Sequence, residues 1–348
     1  MFYIHQTYCI SPQKTFQDTD IEILNEPVDK KMLAIEPAYD GVPPGILRRM
    51  GKAIRMGVGA AMPIIKSNDP LHGIIIGTAK GGMEDCIKFL NQIVQYEEGL
   101  LAPGNFVQST SNAIAAQLGL LSNNKSYNAT HIHRGLAFEN AVIDAIMQLN
   151  EFPGTNYLLG GVDEISDFNY NIENLTGIYK KEVISNKQLY ETDSPGSIAG
   201  EGASMFLVND QKENAIARLE AIRILHSEDD GLVKRTLQQF IANHLPAGDK
   251  VDLLISGENG DNRTLKFYTD CEALMDKGTA IARFKHLSGD APTASAFGLW
   301  LACYVLQQQQ LPAHMMKKPF TAGSSCKNIL LYNNYKGLQH GFMLVKQC

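Results

Sequence analysis

Paired cysteines are missing from this sequence. Its six cysteines, Cys9, Cys86, Cys271, Cys303, Cys326 and Cys348, are dispersed, with no Cys-x-x-Cys and no cysteine–histidine cluster. That excludes a disulfide frame and a cysteine-bound zinc site, and it fits reduced thiols of the cytosol. No apolar run approaches the ~20 residues that a membrane-spanning helix needs. The N-terminus, Met-Phe-Tyr-Ile-His, lacks both a basic start and a small-residue cleavage site, so a first strand is expected there and no signal peptide. Positive charge is not in excess: 31 Lys and Arg stand against 37 Asp and Glu, a net charge of -6. This argues against nucleic acid or a membrane surface as a partner. A cytoplasmic protein without cofactor or metal is the expectation.

What is present is a chain of 348 residues, 44% hydrophobic, with 30 glycines. That is enough for one large core or for two halves sharing an interface. Short apolar runs bounded by turn residues, such as Gly73-Ile-Ile-Ile-Gly77 and Asn156–Val162, read as buried strands. They alternate with helical patterns over 48–62, 83–96 and 113–121. A glycine and proline loop is expected over 99–107, and a long polar linker over 167–195. From about residue 209 the alternation starts again, through helices near 231–244, 263–273 and 293–307. This argues an α/β layered architecture of two structurally duplicated βα halves, 1–208 and 209–348, although no sequence repeat links them.

The stretch Tyr127–Ile146 draws attention. Apolar residues at Leu136, Phe138, Ala141, Val142, Ala145, Ile146 and Leu149 lay one face along a helix. A strand ending at His131-Ile132-His133 leads into it. Such an elbow aims a side chain and free backbone N–H groups at one point, a common place for a nucleophile. The bend itself is read at Ile132, which has no nucleophilic chemistry.

Several stretches in fixed order resemble the β-ketoacyl-acyl-carrier-protein synthase family, whose members share the thiolase fold. They are Phe106–Gln117, the elbow, Gly160-Gly161-Val-Asp-Glu164, Gly200-Glu201-Gly202-Ala203, Lys285 with Gly289, and 333–341. The resemblance covers essentially the whole chain and implies a thiolase-like α-β-α-β-α layering. In the family, an elbow cysteine carries the acyl chain and two histidines support decarboxylation and condensation. Here Ile132 stands for the cysteine, Gly257 for the first histidine (Glu258 if the register slips by one) and Asp290 for the second. Lys285 alone is retained, and a buried lysine is expected to pair with Asp290 or Glu258.

No catalytic residue is therefore expected. His131, His133, Arg134, Glu258 and Tyr335 are candidate substrate-binding residues, with Ile132 as an apolar plug among them. The two histidines, two apart on a strand, share a face; without a third ligand, hydrogen-bonded imidazoles are the plainer reading than a metal pair. Arg134, at a helix start, faces a partner or carrier or else solvent. Cys271 and Cys303 read as core, and Glu201 as a structural hydrogen-bonding group.

The resemblance implies a non-catalytic ketosynthase-like subunit, similar to the chain-length factors of type II polyketide and aryl-polyene or flexirubin-like pigment pathways. Its partners would be an active ketosynthase, or a second copy of itself, and acyl carrier protein. Two alternatives stand beside it. One is an enzyme of altered chemistry, such as a malonyl-carrier-protein decarboxylase using Lys285, Asp290, Glu258 or His133. The other is a homodimer that binds acyl groups.

Overall fold

The run Ile74-Ile75-Ile76 shows how the layers are made. In a strand successive side chains point to opposite faces. Ile74 and Ile76 enter one apolar cluster, and Ile75 enters another on the far side of the sheet. A strand buried on both faces in this way needs helices above and below it. The computed structural model of the chain describes every residue except 69, 100, 322 and 324.

Among the described residues the main sheet has eleven strands. They are β1 (Phe2–Ile10), β2 (Gly73–Gly77), β3 (Tyr127–His131), β4 (Tyr157–Asp163), β5 (Gly202–Asn209) and β6 (Ala217–His226). The others are β7 (Leu253–Ser256), β8 (Ala280–Arg283), β9 (Met316–Lys318), β10 (Asn328–Tyr335) and β11 (Gln339–Lys346). Their order is β9-β8-β7-β10-β11-β6-β1-β5-β4-β2-β3. Strands β4, β2 and β3 run parallel, and β5 is antiparallel to both β4 and β1. The same arrangement recurs in the second half, where β10, β7 and β8 are parallel and β11 is antiparallel to β10 and β6. Thus β1-β5-β4-β2-β3 repeats as β6-β11-β10-β7-β8, with β9 added at the edge. Within the sheet, among the described residues, the two units join where Phe2–Ile4 pairs with Ala217–Leu219.

Helices α1 (Lys52–Ser67) and α2 (Ala113–Leu121) cover the outer face of the first unit. Between the units lie α3 (Ala137–Glu151) and, after the outer helices α4 (Asp230–His244) and α5 (Leu265–Glu272) of the second unit, α6 (Ala294–Gln308). The sandwiched α6 is apolar nearly all round, from Phe297 through Trp300 to Leu306, because both sides face a sheet. This is the expected five-layer α-β-α-β-α architecture.

Three local expectations change. Helix α1 begins at Lys52, where Gln108 caps the Gly51 N–H, and runs through Pro63 to Ser67. Residues 103–108 of the expected loop form a short helix, with Leu100 outside the described residues. The polar linker contains a helix, Asp167–Leu175, in which Tyr170 is buried against Tyr179 with stacked rings 5.1 Å apart. That packing outweighs the weak helix propensity of three asparagines.

Candidate functional site

Strand β3 ends at His131, and the chain turns into α3 through a single 3₁₀ turn, Arg134–Leu136. The left-handed residue of the elbow is Arg134, with φ 47°, and not Ile132. Gly135 follows because a Cβ there would lie 2.1 Å from the Cβ of Tyr335. The N–H of Gly135 donates to the Gln339 side chain at 3.0 Å, so this elbow amide is already engaged.

The elbow opens onto a cleft of about 490 Å³ whose walls include Ile132, His133, Arg134, Tyr335, Lys336 and Gln339. Ile132 is 54% exposed. It forms part of the wall of an open cleft in this chain. Gln339 Nε2 donates to His133 Nδ1 at 3.3 Å. His131 does not join them: its Nε2 lies 2.7 Å from Asp144 Oδ2 on α3, and the Tyr127 hydroxyl donates to the same carboxylate. The shared face of His131 and His133 is lost because the strand ends between them. Among the described residues no three metal-ligating groups cluster.

Glu258 is likewise absent from this cleft. It is buried, paired with Arg283 at 3.1 Å and with Lys317 at 2.6 Å, and Lys317 continues to Glu272 at 2.9 Å. Arg283 in turn stacks over the Tyr190 ring at 3.8 Å. These partners come from β8 and β9, far away in sequence.

On the other side of Lys336 a second cleft, of about 380 Å³, is lined by Asn259, Asp261, Phe267 and Asp290. Here Lys285 Nζ meets Asp290 Oδ1 at 2.5 Å, and the Asn259 amide donates to Asp290 Oδ2 at 2.9 Å. The side chains of this pair are only 1% and 9% exposed. Their geometry depends on a close backbone approach: Gly289, at φ 68°, would place a Cβ 2.5 Å from the Gly200 Cα. At Gly257 a Cβ would fall 2.5 Å from Asn333 Oδ1, so asparagine fills the space beside that position. Ile132 and Asp290 therefore line different clefts, which have Lys336 in common.

The first cleft can hold a ligand, but none of its lining side chains is a thiol or an aliphatic hydroxyl. Cys271 and Cys303 are core residues, and burial pushes the Cys271 thiol up to about 12. Glu201 is a buried hub: its carboxylate accepts from Ala34 N and Ile165 N, at 2.8 and 2.9 Å, and pairs with Lys52.

One group escaped the sequence reading. Glu139 on α3 is fully buried against Gly341, and neither carboxylate oxygen meets a donor in good geometry. Burial pushes its pKa up to about 7, with its own backbone N–H, Ser295 and the more distant charge of Lys285 opposing only in part. A signal existed: Glu139 sits three residues from both Leu136 and Val142, on the apolar face.

Comparison with known proteins bears on both fold and site. Residues 25–174 match the sequence model of a family described as "Beta-ketoacyl synthase, N-terminal domain". No curated protein matches the chain in sequence. Among solved structures, the ishigamide ketosynthase/chain length factor aligns with a TM-score of 0.76 at 12% identity, covering 100% of this chain and 99% of that one. A ketosynthase in complex with its chain length factor from Xenorhabdus doucetiae aligns at 0.75 and 11% identity, covering 100% and 98%. A type II polyketide synthase acyl-carrier protein in complex with its ketosynthase aligns at 0.70 and 13% identity, covering 100% and 99%. The thiolase-like ketosynthase fold read from the motifs is thus borne out, and the family match covers the segment that contains the elbow.

Proposed function

We propose that this chain is a non-catalytic ketosynthase-like subunit of the chain-length-factor type. In this reading it pairs with an active β-ketoacyl synthase and helps to shape products built on acyl carrier protein in fatty-acid or polyketide-type biosynthesis, in the cytoplasm, with 1–208 and 209–348 as its two halves. The observation that carries the reading is Ile132 at the elbow, in a cleft without thiol or aliphatic hydroxyl. The retained lysine is tied to Asp290 and does not face that cleft. Two structural neighbours contain a ketosynthase with a chain length factor, which adds support.

Pairing is supported by the sheet edge. Among the described residues, strand β3 is hydrogen-bonded on one side only, to β2. Helix α2 packs beside it, with the Asn128 amide donating to Ala115 O at 2.9 Å, and presents Leu120, 74% exposed. An open strand edge flanked by apolar surface is a template for association with another chain.

The catalytic half of the reading is tested by Ile132→Cys. The variant is expected to gain no condensing activity and, like the native chain, to release no carbon dioxide from malonyl carrier protein, because Gly257 and Asp290 cannot supply histidine chemistry. Condensation by that single variant, or carbon dioxide release that Lys285→Ala abolishes, contradicts it.

A further inference from the structure

Two exposed cations line the Ile132 cleft, and among the described residues neither has an ionic partner. The Arg134 guanidinium and the Lys336 ammonium line one space, and neither has a hydrogen bond or ion pair among the described residues; Lys336 only overlies the Tyr335 ring at 4.8 Å. Elsewhere in this region cations are neutralised: Lys80 by Glu173 at 2.7 Å, Lys285 by Asp290, Lys317 by Glu258 and Glu272. Arg134 and Lys336 also share an unusual backbone, with φ 47° and 57°, left-handed conformations that non-glycine residues adopt at a cost of roughly 1–3 kcal/mol each. For Lys336 the conformation belongs to the tight turn between β10 and β11, where Gly337 is also left-handed and Leu338 N donates to Tyr335 O at 3.2 Å.

The two charges also work against each other. Partial desolvation lowers the Lys336 pKa; Glu173 opposes this, and Lys80 and Arg134 lower it further. An anion between Arg134 and Lys336 would relieve that repulsion. The remaining walls include Ile132, Ala79 and Leu338, which are apolar, and the cleft volume lies within the range of small-molecule sites.

We propose that this cleft binds an acyl chain through a terminal carboxylate, held by Arg134 and Lys336 with the chain lying on Ile132 and Leu338. The inference rests on the reading of the elbow as non-catalytic, and it gives the emptied site a ligand class. Arg134 matches a carboxylate as a planar fork, while Lys336 acts as a point charge.

Calorimetric titration of the full chain with sodium decanoate at low ionic strength, with decanol as the uncharged control, tests it. Saturable binding of decanoate is expected, with decanol at least about tenfold weaker. Arg134→Gln and Lys336→Gln should each weaken decanoate about tenfold and leave decanol unchanged, whereas Arg134→Lys should retain part of the affinity. Equal binding of decanoate and decanol, no saturable binding to the native chain, or unchanged affinity in both glutamine variants overturns the proposal. Pairing with a ketosynthase is read separately from the mass of the complex. A chain that pairs but ignores decanoate sinks this inference alone; one that binds decanoate but never pairs sinks the subunit reading alone.

Discussion

Replacing Lys285 with alanine is expected to lower the free energy of unfolding by about 3–5 kcal/mol, the usual cost of removing one partner from a buried ion pair. The physical ground is the burial of both members: the Asp290 carboxylate would remain 9% exposed, with only the Asn259 amide still donating to its side chain. Asp290 cannot easily turn to water, because its own N–H is bound to Ile198 O at 2.7 Å and the neighbouring Gly289 is wedged against Gly200. The double variant Lys285→Met, Asp290→Leu should recover at least half of the loss, since apolar replacement of a buried pair is often neutral. Urea denaturation measures both. A Lys285→Ala loss below about 0.5 kcal/mol would place the lysine outside any structural role.

Glu139→Met is expected to stabilise the protein, and more at pH 8 than at pH 5. Its carboxyl has an ordinary value of 4.5 and about 7 in the fold. Well below pH 4.5 folded and unfolded chains are both protonated at this group, and its ionisation costs nothing. As pH rises to about 7 the unfolded chain ionises first and stability falls; above that the loss is complete, about 3 kcal/mol in all. Methionine has similar length, no charge and tolerance for irregular packing. The difference between variant and native stability should therefore grow across that window and then level off. A flat difference from pH 5 to pH 8 would mean that Glu139 finds a donor when ionised.

The layers were legible because a short continuous apolar run such as Ile74-Ile75-Ile76 needs cover on both faces, and its side chains do enter two cores. The duplication of strand order was legible only as alternation. The two units reach the same topology with unrelated residues, Gly73-Ile-Ile-Ile-Gly77 matching Leu-Leu-Ile-Ser at 253–256. At the site, Ile132, His133, Arg134 and Tyr335 line one cleft; the first three are neighbours in sequence, and Tyr335 was reached only through the family resemblance. Local sequence failed for His131, because strand alternation stops where the strand stops, and for Glu258, whose partners Arg283 and Lys317 are distant in the chain. Asn333 and Asn334 are buried within β10, although polar residues ordinarily read as a strand's end.

The central claim is that the chain is half of a heterodimer. Native mass measurement of the complex formed on co-expression with an active ketosynthase tests this most directly. One copy of each chain is predicted, with Leu120→Glu at the exposed edge weakening the complex. A stable homodimer that never exchanges a subunit with the ketosynthase would contradict it.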